Sequence, residues 1–205
     1  MASFNKYLCK EAEEGDPDAQ YRLGVCYVQG LGIGLDYKKA AAWFKKAAEQ
    51  GNRGAQFNLG YLYSVGRGVE EDLAQAFEWY RAAGEHGGSV EQDVVGRLYS
   101  KGMGVRLSMM EAAKWYRLSA DQGFFAAQEH LAECYEKGEG VPKDWIEAYA
   151  YFNLAAIQSE PARKKIAQLE EILPMAARLK AQQRSRQIQK QVDATWSKKR
   201  KQQNK

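Results

Sequence analysis

The sequence predicts an all-α fold, a right-handed α/α solenoid of four helical hairpins with capping helices at both ends. The main observation is a pattern that repeats every 36 residues without insertion. An apolar residue, a tyrosine, a glycine pair and a second aromatic residue return at that spacing: Leu23/Leu59/Val95/Leu131, Tyr27/Tyr63/Tyr99/Tyr135, Gly30/Gly66/Gly102/Gly138 and Trp43/Trp79/Trp115/Tyr151. A period of this length is typical of units that bury their apolar faces by stacking on one another.

The first helix of each copy is predicted from apolar residues at helical spacing. In the first copy, Ala19, Leu23 and Tyr27 stand at i, i+4 and i+8, which is one stripe of a helix. The Gly-x-Gly that follows ends the helix, because glycine adopts positive φ without a Cβ penalty. The next apolar residue, Ile33 in this copy, is interpreted as holding the turn against the core.

The second helix of each copy is predicted to begin at a good N-cap residue. That register holds Asp36, Asp72, Ser108 and Asp144. Three residues later the last three copies carry Gln or Glu, so we expect a capping box there. The predicted buried side carries alanines and an aromatic pair, which in the first copy are Ala40, Trp43, Phe44 and Ala47. Glycines then end the helix at Gly51, Gly87 and Gly123.

These elements divide the chain into four predicted regions. Residues 1–15 match the second half of a repeat and form an N-terminal cap, and residues 16–159 hold four repeats, at about 16–51, 52–87, 88–123 and 124–159. Residues 160–196 are predicted as C-terminal capping helices with a sparse apolar stripe of Leu179, Ile188, Val192 and Trp196. Residues 197–205 are predicted to be a basic disordered tail.

The repeated pattern is Ala-x3-Leu-Gly-x2-Tyr-x2-Gly-x-Gly-Val-x2-Asp-x3-Ala-x2-Trp-Tyr-x2-Ala-Ala-x2-Gly, and it resembles the Sel-one-like repeat (SLR) family, whose α/α units are related to tetratricopeptide repeats. The resemblance covers about three quarters of the chain. This chain departs from the pattern at Val95, Ser108, Ala132 and Ser159. The resemblance implies an adaptor or scaffold for other proteins, and it implies no particular partner.

The positions beside the packing stripe of each first helix are the candidate partner-binding residues. If the tetratricopeptide analogy holds, these helices line a concave face and present Tyr21, Val25, Phe57, Tyr61, Asp93, Arg97, Glu129 and Glu133. The set is aromatic toward the N-terminal end and charged toward the C-terminal end. Two interpretations stay open for its aromatic members: a peptide-binding surface or ordinary packing between repeats.

Charge is unevenly distributed along the chain. Residues 1–160 hold 17 Lys/Arg and 23 Asp/Glu, a balance of −6, whereas residues 161–205 hold 13 and 3, a balance of +10. The basic residues of the last helix and tail are Arg178, Lys180, Arg184, Arg186, Lys190, Lys198, Lys199, Arg200 and Lys201. They are either a solvated helix face or a surface for an acidic protein, a nucleic acid or an anionic membrane. We expect a protein partner rather than a nucleic acid.

Cysteine usage and hydropathy bear on the compartment. Cys9, Cys26 and Cys134 cannot all pair within the chain, and the last two share a register with leucines of other copies, which favours a reducing compartment. No apolar stretch is long enough to span a membrane, and no secretory signal is evident. We therefore expect a cytoplasmic monomer, or a periplasmic or secreted protein if a signal peptide has been removed.

The sequence shows no catalytic, cofactor or metal motif. The Gly30-x-Gly-x-Gly34 stretch follows a helix rather than a strand and recurs as a turn, so it does not indicate a phosphate loop. His130 and Cys134 lie one helical turn apart, but zinc needs about four ligands. We expect no enzyme, since no nucleophile–base pair stands out. Some cysteine-rich SLR proteins are linked to β-lactam binding, and the paired cysteines of that class are absent here.

Overall fold

The computed structural model describes residues 6–203, and every regular element in that part of the chain is an α-helix, as predicted. Residues 1–5 of the predicted N-terminal cap and residues 204 and 205 of the predicted tail lie outside the described residues. The helices are α1 Lys6–Glu13, α2 Pro17–Gln29, α3 Tyr37–Glu49, α4 Arg53–Val65, α5 Leu73–Glu85, α6 Ser89–Lys101, α7 Met109–Ala120, α8 Phe125–Lys137, α9 Trp145–Ala155, α10 Glu160–Ile172 and α11 Met175–Gln203.

These helices belong to two compact units. Unit 1 contains α1 to α5 together with turn residues 103–106, and unit 2 contains α6 to α11. Within unit 1, α2 packs on α3 and α4 packs on α5, and within unit 2, α6 packs on α7 and α8 packs on α9. The predicted pairing of helices into four hairpins is therefore confirmed.

Each second helix begins at its predicted N-cap, but the predicted capping box is wrong. Asp72 Oδ1 accepts a hydrogen bond from the N–H of Gln75 at 3.0 Å, as expected of an N-cap. In a capping box the Asp72 N–H would bond to the Gln75 side chain, yet it donates to the Tyr63 carbonyl at 3.0 Å. The same bond closes the other three turns: Asp36 to Tyr27, Ser108 to Tyr99 and Asp144 to Tyr135.

The second glycine of the turn has a packing role that its register alone does not reveal. Gly68 has a φ of +75°, and a Cβ there would overlap the carbonyl oxygen of Tyr37, the first residue of α3. Gly104 and Gly140 approach the first residues of α5 and α7 in the same way. Each of these three turns is thus pressed against the start of the preceding second helix, which leaves no room for a side chain.

The fully buried aromatic residue of the second helix is Phe44 rather than Trp43. Phe44 is 1% exposed and lies over Gly24, where a Cβ would come within 2.5 Å of its ring. Trp43 is half-buried, with the ammonium of Lys46 4.1 Å from its ring centroid. The Phe44 register also holds a buried aromatic residue in each later copy: Tyr80, Tyr116 and Phe152. In the fourth copy Tyr151, in the Trp43 register, is buried as well.

The last two helices pack on α9, and the predicted apolar stripe of α11 is buried at Ile188 and Val192 but not at Leu179 or Trp196. Within α11 the residues buried in unit 2 are Ala181, Ser185, Ile188 and Val192. Leu179, which the sequence places on the apolar stripe, is instead 52% exposed. The small residues of α11 allow a close approach to α9, and Ser185 Oγ accepts a hydrogen bond from Asn153 at 3.2 Å.

The predicted disordered tail is wrong for residues 197–203, because α11 continues to Gln203. Its late turns are held to the turn between α7 and α8. Trp196 Nε1 donates to the Gln122 carbonyl at 2.9 Å, and Lys199 Nζ donates to Gln122 Oε1 at 2.5 Å. The Lys, Arg and Gln residues of this segment are good helix formers, and cations are favourable near a helix C-terminus.

Candidate functional site

The predicted aromatic positions form a shallow cleft in unit 1. The cleft has a volume of about 220 Å³ and is lined by residues of α2, α3 and α4: Tyr21, Val25, Val28, Gln29, Phe44, Asn58, Tyr61 and Leu62. We call these residues the aromatic cleft. Tyr61 is 44% exposed, and Tyr21 and Val25 are half-buried. Three of the four aromatic-end candidates therefore lie together and remain accessible.

The fourth candidate, Phe57, does not line the aromatic cleft. Its ring packs edge-on against Tyr80, with 5.2 Å between the ring centroids. Tyr21 also has a packing role, because its ring lies 6.0 Å from that of Phe44 and a Cβ on Gly54 would meet it at 2.9 Å. The packing interpretation therefore applies to Tyr21, whose side chain packs across to α4 and also lines the cleft, and its role in peptide binding stays a prediction.

The charged candidates of unit 2 are not a row of free surface groups, and for Asp93 the expectation of an accessible charge is wrong. Asp93 is 3% exposed, and its Oδ1 lies 2.8 Å from Nδ1 of His130. Glu129 accepts a hydrogen bond from Ser159 Oγ at 2.6 Å. The physical reason is the same in both cases, because each side chain points from a first helix past the second helix of its hairpin: Asp93 reaches α8, and Glu129 reaches the N-cap of α10.

The remaining two charged candidates line a larger pocket in unit 2. Arg97 is exposed, and Glu133 forms a 3.7 Å ion pair with Lys137. The pocket has a volume of about 620 Å³, and α6, α7 and α8 supply most of its wall. We call it the polar pocket. His130 and Cys134 also line it, and among the described residues no group of three or more potential ligands could hold a metal ion.

Burial controls the chemistry of the polar pocket's thiol and phenol. It raises the pKa of the Cys134 thiol from 9.0 to about 11 and that of the Tyr116 hydroxyl from 10.0 to about 12. At neutral pH both groups are therefore protonated, so Cys134 is a poor nucleophile. The Tyr116 hydroxyl donates to Ser100 Oγ at 3.1 Å.

A recurring glutamine contact within the hairpins, between the start of the first helix and the end of the second, escaped the sequence interpretation. Gln20 accepts a hydrogen bond from Gln50 at 2.9 Å, and Gln92 accepts one from Gln122 at 2.7 Å. Gln56 lies 3.1 Å from His86 in the equivalent pair. Gln20 and Gln56 also donate to carbonyls of the preceding helix, at Ala12 and Ala48. The sequence could have indicated this contact, since a glutamine stands at the same position of all four repeats: Gln20, Gln56, Gln92 and Gln128.

The basic residues of α11 have two kinds of environment. Three of them have partners in unit 2: Arg178 donates to the Leu173 carbonyl, Arg184 pairs with Glu147 at 2.5 Å, and Lys199 bonds to Gln122. The hydrogen bond with Glu147 raises the pKa of Arg184. The other six make no ion pair or side-chain hydrogen bond with the described part of the chain: Lys180, Arg186, Lys190, Lys198, Arg200 and Lys201.

Among the described residues, no helix is both long enough and apolar enough to cross a membrane. This includes α11, which has 29 residues but is strongly polar.

A family model described as the Sel1 repeat matches residues 17–52, 54–88, 94–124 and 125–159. Proteins with this repeat generally act as protein–protein interaction scaffolds and are generally non-catalytic. No curated protein matches the chain.

Two solved structures are similar to this chain, each at 34% sequence identity. One is a protective antigen present in uropathogenic Escherichia coli strains, which displays an SLR fold, with a TM-score of 0.79 over 90% of this chain and 40% of its own. The other is a Sel1 repeat protein from Oxalobacter formigenes, with a TM-score of 0.75 over 79% of this chain and 67% of its own. This chain thus spans less than half the length of the E. coli protein. The resemblance to the SLR family is confirmed.

Proposed function

The chain belongs to the Sel1 repeat family, and we propose that it is an interaction scaffold that binds an apolar segment of a partner protein in the aromatic cleft of unit 1. The observation that supports this proposal is the exposure of Tyr61, which is 44% accessible beside the half-buried Tyr21 and Val25. Tyrosine is enriched among residues that dominate binding energy, because it offers a large apolar area and a hydroxyl at low entropy cost.

The shape of the aromatic cleft fits a side chain rather than a small molecule. Its volume of about 220 Å³ is below the range typical of pockets for drug-sized ligands. It can accept one or two apolar side chains of a peptide, with Asn58 at the wall to hydrogen-bond the peptide backbone. The expected partner is thus a segment that inserts an aromatic or branched aliphatic residue beside Tyr61.

The test uses a variant that changes the aromatic cleft without removing a fully buried side chain. Phe57→Ala is a poor choice because Phe57 packs on Tyr80. Tyr61→Ser combined with Val25→Ser removes apolar surface from the cleft, and Tyr7→Ser is the matched control, since Tyr7 is 80% exposed on α1 and lies outside the cleft.

Partners are captured from lysate, identified, purified and titrated against each variant. The double variant should weaken binding at least about tenfold, as expected for loss of a central aromatic contact, and Tyr7→Ser should leave affinity unchanged. Unchanged affinity in the double variant, with the fold verified by circular dichroism, would refute the proposal.

The basic helix supports a second candidate function, binding of an anionic partner through α11. Six of its nine cations have no partner in the described part of the chain. Deletion from residue 178 would unfold the test protein, because Ile188 and Val192 are buried. Lys198→Gln, Arg200→Gln and Lys201→Gln together remove charge at exposed positions instead. If α11 binds an anionic partner, the affinity for that partner should fall steeply as salt is added and should also fall in the triple variant.

We also propose a cytoplasmic location, because Cys9, Cys26 and Cys134 are free thiols in the structure.

A further inference from the structure

The polar pocket of unit 2 contains an oriented histidine. The buried carboxylate of Asp93 on α6 lies 2.8 Å from Nδ1 of His130 on α8. A carboxylate only accepts hydrogen bonds, so Nδ1 carries the proton of this bond. The other ring nitrogen, Nε2, makes no hydrogen bond with any described residue, and the imidazole forms part of the pocket wall.

The imidazole is also held from one side by an aromatic ring. Tyr116 stacks obliquely on His130, with 4.8 Å between ring centroids and 33° between ring planes. Tyr116 itself is fixed, because it is 3% exposed, bonds to Ser100 and lies over Gly96. A side chain held by a buried carboxylate and a buried ring loses little entropy when a ligand binds it.

Two unpaired cations share the pocket with His130. Arg97 and Lys101 lie one and two turns after Asp93 on α6, and both line the polar pocket. Neither side chain forms an ion pair or hydrogen bond within the described part of the chain. In contrast, the third cation of the wall, Lys137, is paired with Glu133 at 3.7 Å.

The charge of the wall favours a singly charged anion. Besides His130, the charged side chains that line the wall are Arg97, Lys101 and Lys137, with three positive charges, and Glu133 and Glu139, with two negative ones, which leaves +1. The buried Asp93 carboxylate lies behind the wall and is paired with His130. The two negative charges of a phosphate dianion would be repelled by the two glutamates of the wall, whereas the single negative charge of a carboxylate balances the net charge of +1. The volume of about 620 Å³ leaves space for the backbone around such a group.

We propose that the polar pocket binds a carboxylate side chain of an acidic segment in a partner protein. Arg97 and Lys101 attract and bond the carboxylate, and the imidazole of His130 contacts the bound segment through Nε2. The inference goes beyond the proposed function, because the pocket lies in unit 2 and its occupancy does not depend on the aromatic cleft.

The test titrates the isotope-labelled full chain with a hexaglutamate peptide and follows its backbone amide resonances by NMR. Shifts are expected at Arg97, Lys101 and His130. The charge-removing variant is Arg97→Gln with Lys101→Gln, both exposed positions that should leave the fold intact. A matched control, Arg186→Gln with Lys190→Gln, removes the same charge from exposed positions of α11 in the same unit.

The pocket variant should weaken hexaglutamate binding at least about tenfold, and the control should change it less than about twofold at physiological salt. His130→Asn places an amide donor where Nδ1 bonds to Asp93 and removes Nε2, so it should weaken binding about fivefold while the unfolding midpoint stays close to that of the parent. This second variant separates a binding role of His130 from a structural one.

Three outcomes would overturn the proposal. Equal weakening by the control pair would mean diffuse attraction to a basic protein. Tighter binding of inorganic phosphate than of hexaglutamate would make the pocket a phosphate site. Shifts confined to residues outside the polar pocket would place the peptide elsewhere. Each outcome leaves the Tyr61 experiment untouched, so failure here is distinguishable from failure of the aromatic cleft.

Discussion

Phe44 and Trp43 are neighbours on α3, yet they contribute differently to the stability of unit 1. Phe44 lies inside the hairpin over Gly24, whereas Trp43 is only partly buried. The 36-residue period predicts that both are core residues, because an aromatic residue recurs at both positions in every copy. Phe44 is the buried one because Gly24 on α2 leaves space for its ring. The residue pattern of α3 alone cannot reveal this contact, since it involves a second helix.

Phe44→Ala should therefore destabilise the protein much more than Trp43→Ala does. We expect a loss of about 3–5 kcal/mol for Phe44→Ala, typical of a buried aromatic residue, and about 1–2 kcal/mol for Trp43→Ala. Urea denaturation followed by circular dichroism measures both. Equal losses in the two variants would contradict the assigned orientation of α3.

The buried thiols should react slowly in the folded protein. Burial raises the pKa of Cys26 and raises that of Cys134 to about 11, whereas Cys9 is half-buried at the edge of the core. In Cys9→Ser, the remaining thiols should react with Ellman's reagent at mildly alkaline pH at least about tenfold more slowly than they do after unfolding in guanidinium. Rapid reaction of the folded variant would contradict the burial of both.

The same shift sets the sign of a pH effect on stability. The folded pKa of Cys134 lies above its ordinary value of 9.0, so the protonated thiol is favoured by folding. This contribution is fully present below pH 9.0 and is lost as the pH rises through about 11. Cys134→Ala should reduce the loss of stability over that interval.

At the scale of the elements, the turns that carry Gly68 and Gly140 link successive hairpins of a unit. The first glycine ends the helix, as its register predicts, but the second also lies against a backbone carbonyl of the preceding second helix. The N-cap aspartates were predictable because capping is local. The bond from their N–H to a tyrosine carbonyl nine residues earlier was not, because it depends on the path of the turn.

Gly68→Ala should be much more costly than Gly34→Ala. The first substitution forces a Cβ at positive φ against the Tyr37 carbonyl, whereas at Gly34 nothing lies within 4 Å. We expect a loss of at least about 2 kcal/mol for Gly68→Ala and a change within about 0.5 kcal/mol for Gly34→Ala. Thermal denaturation compares the pair, and similar midpoints would show that the turn does not dock as described.

The end of α11 is a part of the fold that the sequence did not predict. Its polar composition correctly indicated a largely exposed surface, but the charges of residues 197–203 led to the expectation of disorder. The helix continues there because Trp196 and Lys199 contact Gln122, more than 70 residues away in the sequence. A contact at that separation carries no periodic signal.

At the scale of the whole chain, the repeat period predicted the fold, whereas the candidate sites were predicted only in part. The stripe residues recur in four copies, so their register could be averaged over the repeats. Site residues are those that differ between copies, and each has only one occurrence to interpret. Tyr61 is exposed, as expected. Asp93 is instead the buried partner of His130, and the sequence did not reveal this contact because the two residues lie on different hairpins.

We propose that variation at equivalent positions of the repeats gives the scaffold its specificity. The register of Val25 and Tyr61 in unit 1 holds Arg97 and Glu133 in unit 2. The first pair lines an apolar cleft and the second lines a polar pocket. One backbone design thus supports two surfaces of different chemistry.

Site-specific photo-crosslinking of the full chain tests the central claim most directly. A benzophenone amino acid replaces Tyr61 in one variant and Tyr7 in the other, and both carry their aromatic group at an exposed position. The account predicts a discrete covalent adduct with a partner protein from position 61, lost when Val25→Ser is added, and no such adduct from position 7. The same adducts from both positions, or an adduct only from position 7, would contradict it.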